Sequence, residues 1–460
     1  MERRDERGLA LSCQSQVSVA GYEQALASLQ GYSGDPLAAI DAALASDPDF
    51  LMGHALRAGL FVVSTERRAV PELARSVQAG EALIARGVGT QRERGHVAAA
   101  RAWLEGDFAA AASRYHRLTV DHPRDVLAVQ LDHLCNFNLG HSVWLRDHVS
   151  AVLPSYSADE PSYGYLHGML AFGLEENEQL AEAEAAGQLA LEHNRRDPWA
   201  IHALAHCAET RGRPDDGIAL LTGRERDWAE GSFFAVHNHW HLALFHLDRG
   251  DDAAVLRIYD QAIRGSRSQV VLDLVDASAL LWRLELEGVE LGARWQELAD
   301  AWQQVAEEGY YGFNDLHALL AFAGAGRGDA VERVLAGLGA AANGPGTNAL
   351  MSRAVALPAC RGAAAFARGD QRGALAALAG LPPIARLFGG SNAQRDILDW
   401  TLLEAALRAG DDALARALAR SRLARKPQSG LARRHHARAG GARVDTAEAS
   451  PSGPPRRAVA

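Results

Sequence analysis

The sequence predicts an all-α protein, a tetratricopeptide-like solenoid of helical hairpins wound into a superhelix. Glycine-marked turns recur at Gly106, Gly140, Gly212, Gly250, Gly288, Gly328, Gly369 and Gly410. Their spacing is about 34–41 residues except for one interval of twice that, and such a period marks helix–turn–helix repeat arrays. The skipped turn falls at Glu176–Asn177–Glu178, which carries no glycine. Matching second-helix segments follow several turns, as in GDFAAAASRY, GRPDDGIALL, GDDAAVLRIYD and GDDALARALARS. Alternating runs of β-branched residues, the signature of strands, are lacking.

Taken in order, residues 1–19 read as a flexible N-terminus. MERRDERGLALSCQS mixes bases with acids and lacks the apolar stretch of a secretory leader. Helical apolar spacing starts at Tyr22, and GDPLAAIDAALASDPDFLMGHALRAGLFV reads as two helices. There Asp35 is the expected N-cap and Pro36 the first helical residue. Helices continue from Val70 to Gly106, punctuated by Gly87 and Gly89. The repeat array is expected over residues 20–427, interrupted by a loop at AANGPGTNA. Residues 428–460 hold Pro, Gly, Ser and Arg without an apolar period and read as a disordered basic tail.

The 460 residues are 48% hydrophobic and 23% charged, values ordinary for a folded soluble protein. No run of about 18 uncharged apolar residues occurs, so no membrane-spanning helix and no membrane partner are expected. The four cysteines, Cys13, Cys135, Cys207 and Cys360, form no CxxC pair. That pattern fits reduced thiols and a cytoplasmic location. Lys426 is the only lysine, so a Schiff-base or P-loop lysine would have to be this residue, whose surroundings fit neither. Net charge is −10, yet residues 421–460 hold nine Lys/Arg against two Asp/Glu. A body this acidic argues against a nucleic-acid groove.

Chemistry concentrates between Asp197 and Gly250. His202, His206 and Glu209 stand at i, i+4 and i+7, on one helix face, and His237, His239, His241 and His246 follow. In tetratricopeptide-like arrays the first helix of each hairpin lines the concave side. His202, His206, Glu209, His237, Asn238, His241, Asp276, Arg283, Asn314, Asp315 and His317 all precede a turn at that phase, so successive repeats aim them at one interior.

Three readings fit this group. It is a polar pocket for a small molecule or peptide; or it holds a divalent transition metal on His202, His206 and His241; or it is a lattice of hydrogen bonds that fixes the superhelix. The metal reading extends to a hydrolase or lyase with Glu209 or Asp276 as base. The zincin motif is absent, because Ala203 stands where Glu would be needed. No nucleophile elbow or dinucleotide fingerprint occurs, so binding scaffold and enzyme both stand. Asp273 and Asp276 with Arg283 and Glu287 are expected to form buried ion pairs. Ser391 and Gln394 suit a capping box, and Gly389–Gly390 an anion site at the same helix start. Trp199, Trp240, Trp282, Trp295 and Trp302 fit inter-helix core.

The stretches RERGHVAAARAWLEGDF, DHPRDVLAVQLDHL, GMLAFGLEE, DPWAIHALAHCAE, HNHWHLAL, LDLVDASALLWRLELEG, FNDLHALLA and GGSNAQRD follow one another between about residues 20 and 425. Together they resemble the tetratricopeptide repeat protein 38 family. The resemblance implies a closed-up superhelix and a cytosolic location, and it implies no particular reaction. His202, His206, Glu209, His237, Asn238, Trp240, His241, Asp276, Arg283, Asn314, Asp315 and His317 fall on family positions; His239 and His246 do not.

Overall fold

The computed structural model describes residues 3–306 and 308–440. Among these the protein is all-α, with a single two-residue strand pair. The chain opens with β1 (Arg3–Arg4) and β2 (Ala10–Leu11), then α1 (Gln16–Gln30), α2 (Pro36–Ser46), α3 (Leu51–Val62) and α4 (Val70–Ala85). Helical hairpins follow: α5 (Gln91–Leu104) with α6 (Phe108–Asp121), α7 (Val126–Asn138) with α8 (Ser142–Val152), α9 (Pro161–Glu175) with α10 (Leu180–His193), and α11 (Pro198–Thr210) with α12 (Pro214–Gly223). A short α13 (Glu225–Trp228) leads to α14 (Ala235–Arg249) with α15 (Asp252–Ile258), and then to α16 (Val271–Leu286) with α17 (Arg294–Val305). The last third holds α18 (Gly312–Gly324), α19 (Gly328–Ala342), α20 (Thr347–Met351), α21 (Leu357–Ala367), α22 (Gln371–Leu378), α23 (Asn392–Ala409), α24 (Asp412–Arg425) and α25 (Gly430–Arg438).

The hairpin turns follow from local chemistry. Gly106, Gly250, Gly369 and Gly410 end first helices in the left-handed region, where a side chain would be strained. The aspartate that follows each glycine then caps the second helix: Asp107, Asp251, Asp370 and Asp411 accept from the amides of Ala110, Ala254, Gly373 and Leu414. Each such cap contributes about 1 kcal/mol. Where glycine is missing, Glu178 takes the left-handed conformation (φ 62°). One expected turn is misplaced by two residues: Gly326 has the positive φ, while Gly328 begins α19. Asp35 caps α2 with Pro36 in its first turn, and Ser391 and Gln394 form a capping box on α23.

Both ends of the described chain correct the sequence reading. Residues 3–19 are not a flexible start. Arg4 pairs with Ala10, Ser12 donates N–H and Oγ–H to the Glu93 carboxylate at 2.9 and 2.8 Å, and Ser15 caps α1. The hydrogen bonds come from backbone and hydroxyl groups, which an apolar pattern does not register. Residues 428–440 are likewise not a disordered tail. Ser429 caps α25, whose Leu431, Ala432 and His435 are buried. Arg434 donates to the carbonyls of Leu247 and Asp248 at the end of α14, and His435 meets Glu287 at 3.0 Å. The rest of that predicted tail, 441–460, lies outside the described residues.

Trp199, Trp240, Trp282, Trp295 and Trp302 are all buried between helices, as expected. The array also closes on itself. The loop after α19 returns to the α5–α6 turn, where Thr347 N donates to Gly106 O at 3.0 Å and Thr347 Oγ1 accepts from Ala109 N. Further contacts join distant parts: Asn314 to Thr65, Tyr311 Oη to the Asn138 carbonyl at 2.7 Å, and Phe233 to Tyr32. No helix of the described chain is long and apolar enough to cross a membrane.

Candidate metal centre

Four consecutive first helices build the site. α9 brings Glu175 at its C-terminus, α11 brings His202 and His206, α14 brings His237 and His241, and α16 brings Asp276. The i, i+4 spacing stacks each histidine pair along one helix face, and α11 and α14 pack side by side with those faces toward each other. One ring nitrogen from each of His202, His206, His237 and His241 lies within 4.8 Å of the others. Ring centroids are 4.4 Å apart for His202–His206 and 4.5 Å for His206–His241. None of the four side chains is more than about 5% exposed.

Carboxylates fix two of the rings from behind. Asp276 accepts from Nδ1–H of His237 at 2.8 Å, leaving Nε2 of that ring 3.1 Å from Nε2 of His202. Glu175 Oε2 lies 3.2 Å from Nδ1 of His206 and Oε1 accepts from the Thr210 hydroxyl at 2.7 Å. Among the described residues, Nδ1 of His202 and both ring nitrogens of His241 have no hydrogen-bond partner. Unpartnered buried nitrogens are costly, roughly 1–3 kcal/mol each, unless something else occupies their lone pairs. Burial, reinforced by the neighbouring imidazoles, pushes the pKa values of His202 and His241 well below the ordinary histidine value. Burial also opposes protonation of His206, but the Glu175 carboxylate outweighs it and raises that pKa. An aromatic shell of Phe172, Trp199, Phe234 and Trp240 encloses the group, with ring centroids about 5 Å from the imidazoles.

The other expected pocket residues divide by location. Asn238 donates weakly to the Pro198 carbonyl at 3.4 Å and ties α14 to α11. Glu209 pairs with Lys426. Arg283 lies over the Trp240 ring and donates to the carbonyls of Ala279 and Ala393. Asn314 binds the Thr65 carbonyl, Asp315 accepts from the Gly309 amide, and His317 donates Nδ1–H to the Phe313 carbonyl at 2.8 Å. All three stand on α18, two hairpins removed from α14; Asn314 makes one of the ring-closing contacts, while Asp315 and His317 bond within their own segment. The expected ion pairs of Asp276 and Arg283 are also corrected. Asp276 is taken by His237, Arg283 has no carboxylate within salt-bridge distance among the described residues, and Glu287 pairs with His435 and Arg434. At α23 the anion expected near Gly389–Gly390 is an internal one, for Glu176 Oε1 accepts from Asn392 N at 2.7 Å.

Glu209, Arg283 and Lys426 line an open cleft of about 810 Å³, together with Asp396, Asp399 and Arg422. Thr210, hydrogen-bonded to Glu175, forms part of its wall. Thr210 and Glu175 thus link the cleft to His206.

Glu175 is the participant that reading the sequence missed. Superposing turn on turn, it stands three residues before Glu178 as Glu209 stands three before Gly212, and that equivalence was the available signal. Without a glycine at the turn, the register was hidden. No family model matches the sequence.

Proposed function

We propose that this chain is a metal-binding helical-repeat protein that holds one divalent transition metal on His202, His206, His237 and His241. The convergence of four buried imidazole nitrogens within 4.8 Å carries this reading. Zinc sits about 2.0–2.1 Å from histidine nitrogens, so a tetrahedral shell spaces its donors roughly 3.3–3.4 Å apart, close to the 3.1 Å between His202 and His237. Asp276 and Glu175 supply the outer carboxylates that orient metal-bound imidazoles. Imidazole suits zinc, copper, iron and nickel, and the enclosed apolar shell favours retention over exchange. Four protein donors fill a tetrahedral metal, which favours a holding site over a hydrolase or lyase, whose metal keeps a position open.

The array itself we infer to be tetratricopeptide-like, in a cytoplasmic protein related to the tetratricopeptide repeat protein 38 family. The turn period and the resemblance of motifs support that assignment. A second reading adds a small, polar ligand, or the charged end of a peptide, in the cleft. It is favoured by Arg283, a buried cation that lines the cleft, lies over the Trp240 ring and has carbonyl hydrogen-bond partners but no carboxylate within salt-bridge distance among the described residues.

Elemental analysis of the purified full-length protein tests the metal reading. About one equivalent of a transition metal that survives a chelator wash is expected, and His202→Gln with His241→Gln should abolish it. A parent protein that retains no metal after a chelator wash, even when first incubated with zinc, copper or iron salts, would overturn it.

A further inference from the structure

A second group of side chains stands on a different part of the surface. His116 on α6, Asp132 on α7 and His148 on α8 each come from one of three successive helices, and the three helices pack together. Asp132 is buried, and one of its oxygens, Oδ2, faces both imidazoles: His148 Nδ1 at 2.7 Å and His116 Nδ1 at 3.8 Å. The two rings stack, with centroids 3.5 Å apart and planes inclined by 15°. Trp144 stacks on the outer face of His148 at 5.5 Å.

We propose that His116, Asp132 and His148 form a second, solvent-open site for a divalent transition metal, zinc being the natural occupant. The ligand atoms already lie within 4.8 Å of one another on one side of the stacked pair. Tetrahedral zinc on two imidazoles and a carboxylate needs separations of roughly 3.3–3.4 Å. The observed 2.7 and 3.8 Å reach that by shifts of about half an ångström in opposite directions, with the two rings tilting out of their parallel stack so that both in-plane lone pairs meet one ion.

The outer contacts fit ligation too. Asn136 Nδ2 donates to the other Asp132 oxygen at 2.7 Å, and His141 Nδ1 meets Asn136 Oδ1 at 3.0 Å. That is the supporting layer that orients a metal-bound carboxylate. Asp132 has no Arg or Lys within salt-bridge distance among the described residues. Besides the Asn136 amide, its carboxylate is met by two imidazoles, which repel if both are protonated. A divalent ion satisfies both lone pairs and the carboxylate at once. His116 is 38% exposed, so the fourth position opens to water, as in sites where a metal-bound water reacts. The four-histidine centre is closed; this one is accessible. The proposal does not depend on that centre.

Metal release separates the two. The full-length protein, incubated with excess zinc and desalted, is mixed with a chromophoric chelator. One rapidly released equivalent is expected from the open site, and it should disappear in His116→Ala and in His148→Gln. Asn136→Ser should keep it with affinity lowered about 10–100-fold. The same rapid phase should persist in the His202→Gln, His241→Gln protein, whereas failure of the four-histidine centre would remove only a slowly released equivalent. Parent protein without a rapid equivalent, or a rapid equivalent retained in His116→Ala, would overturn the proposal. His116 is exposed enough for its truncation to leave the fold intact, and a melting curve identical to the parent's checks that.

Discussion

Asp276 and His202 lie on opposite sides of the same imidazole: the carboxylate holds Nδ1 of His237 at 2.8 Å, and Nε2 meets His202 at 3.1 Å. Asp276 thus fixes which nitrogen of His237 is free to ligate. Asp276→Asn is expected to weaken metal binding at the four-histidine centre about 10–100-fold with little loss of helix content. Competition against a chelator of known affinity measures it, and an unchanged affinity would leave Asp276 a packing partner only.

Arg92 and His96 on α5 both meet Asp125 Oδ2, at 2.9 and 2.8 Å, while Oδ1 caps α7 through Ala128 N. Asp125→Ala should cost about 3–5 kcal/mol, because it leaves Arg92 buried without its partner. Urea midpoints of the two proteins give the difference. Burial alone would raise the Asp125 pKa, but His96 and Arg92 outweigh it and hold it well below the usual value. With the folded value depressed, its contribution is complete above about pH 4 and is lost as pH falls below that. The alanine variant should therefore lose its deficit in strong acid.

Asp197 behaves oppositely. It caps α11 through the amides of Trp199 and Ala200, yet Oδ2 has no hydrogen-bond partner among the described residues, and burial pushes its pKa up to about 7 despite those amides. A raised carboxylate pKa means the folded state binds the proton more tightly. Its contribution is complete below about pH 4 and declines as pH rises through about 7. Asp197→Asn should flatten that part of the stability–pH curve and match or exceed the parent near pH 8. Thermal melts between pH 4 and 8 would refute this if the slopes stayed equal.

The end of the array offers a fourth check. A chain ended after Lys426 loses the α25 contacts to α14, Glu287 and Glu404. Against a chain ended after Gly440 it should melt several degrees lower. Equal melting temperatures would make α25 an ornament.

These cases also mark what the sequence could reveal. Helices, turns and the α11–α14 histidine pairs were legible because period and i, i+4 spacing act within one segment. Asn314, Asp315 and His317 shared the same phase but not the same place, since phase tells which face a residue occupies and not how far the next hairpin rotates. Glu175 was hidden by a turn without glycine. His116, Asp132 and His148 were invisible because each helix supplies one ligand, so no segment carries a pattern. α25 was hidden because arginines and histidines, not apolar residues, do most of its docking.

Thr347 rests on Gly106, and Asn314 on Thr65, across more than half the chain. An open repeat array can nucleate anywhere and fray from its ends, because each unit meets only its neighbours. Here the first helices stay incomplete until α18 and α20 exist, so contact order is high for an all-helical chain. During synthesis, the amino-terminal hairpins must wait for some 240 further residues before their partners emerge. Folding should be slow for a helical protein, and the finished molecule should resist unravelling from either end.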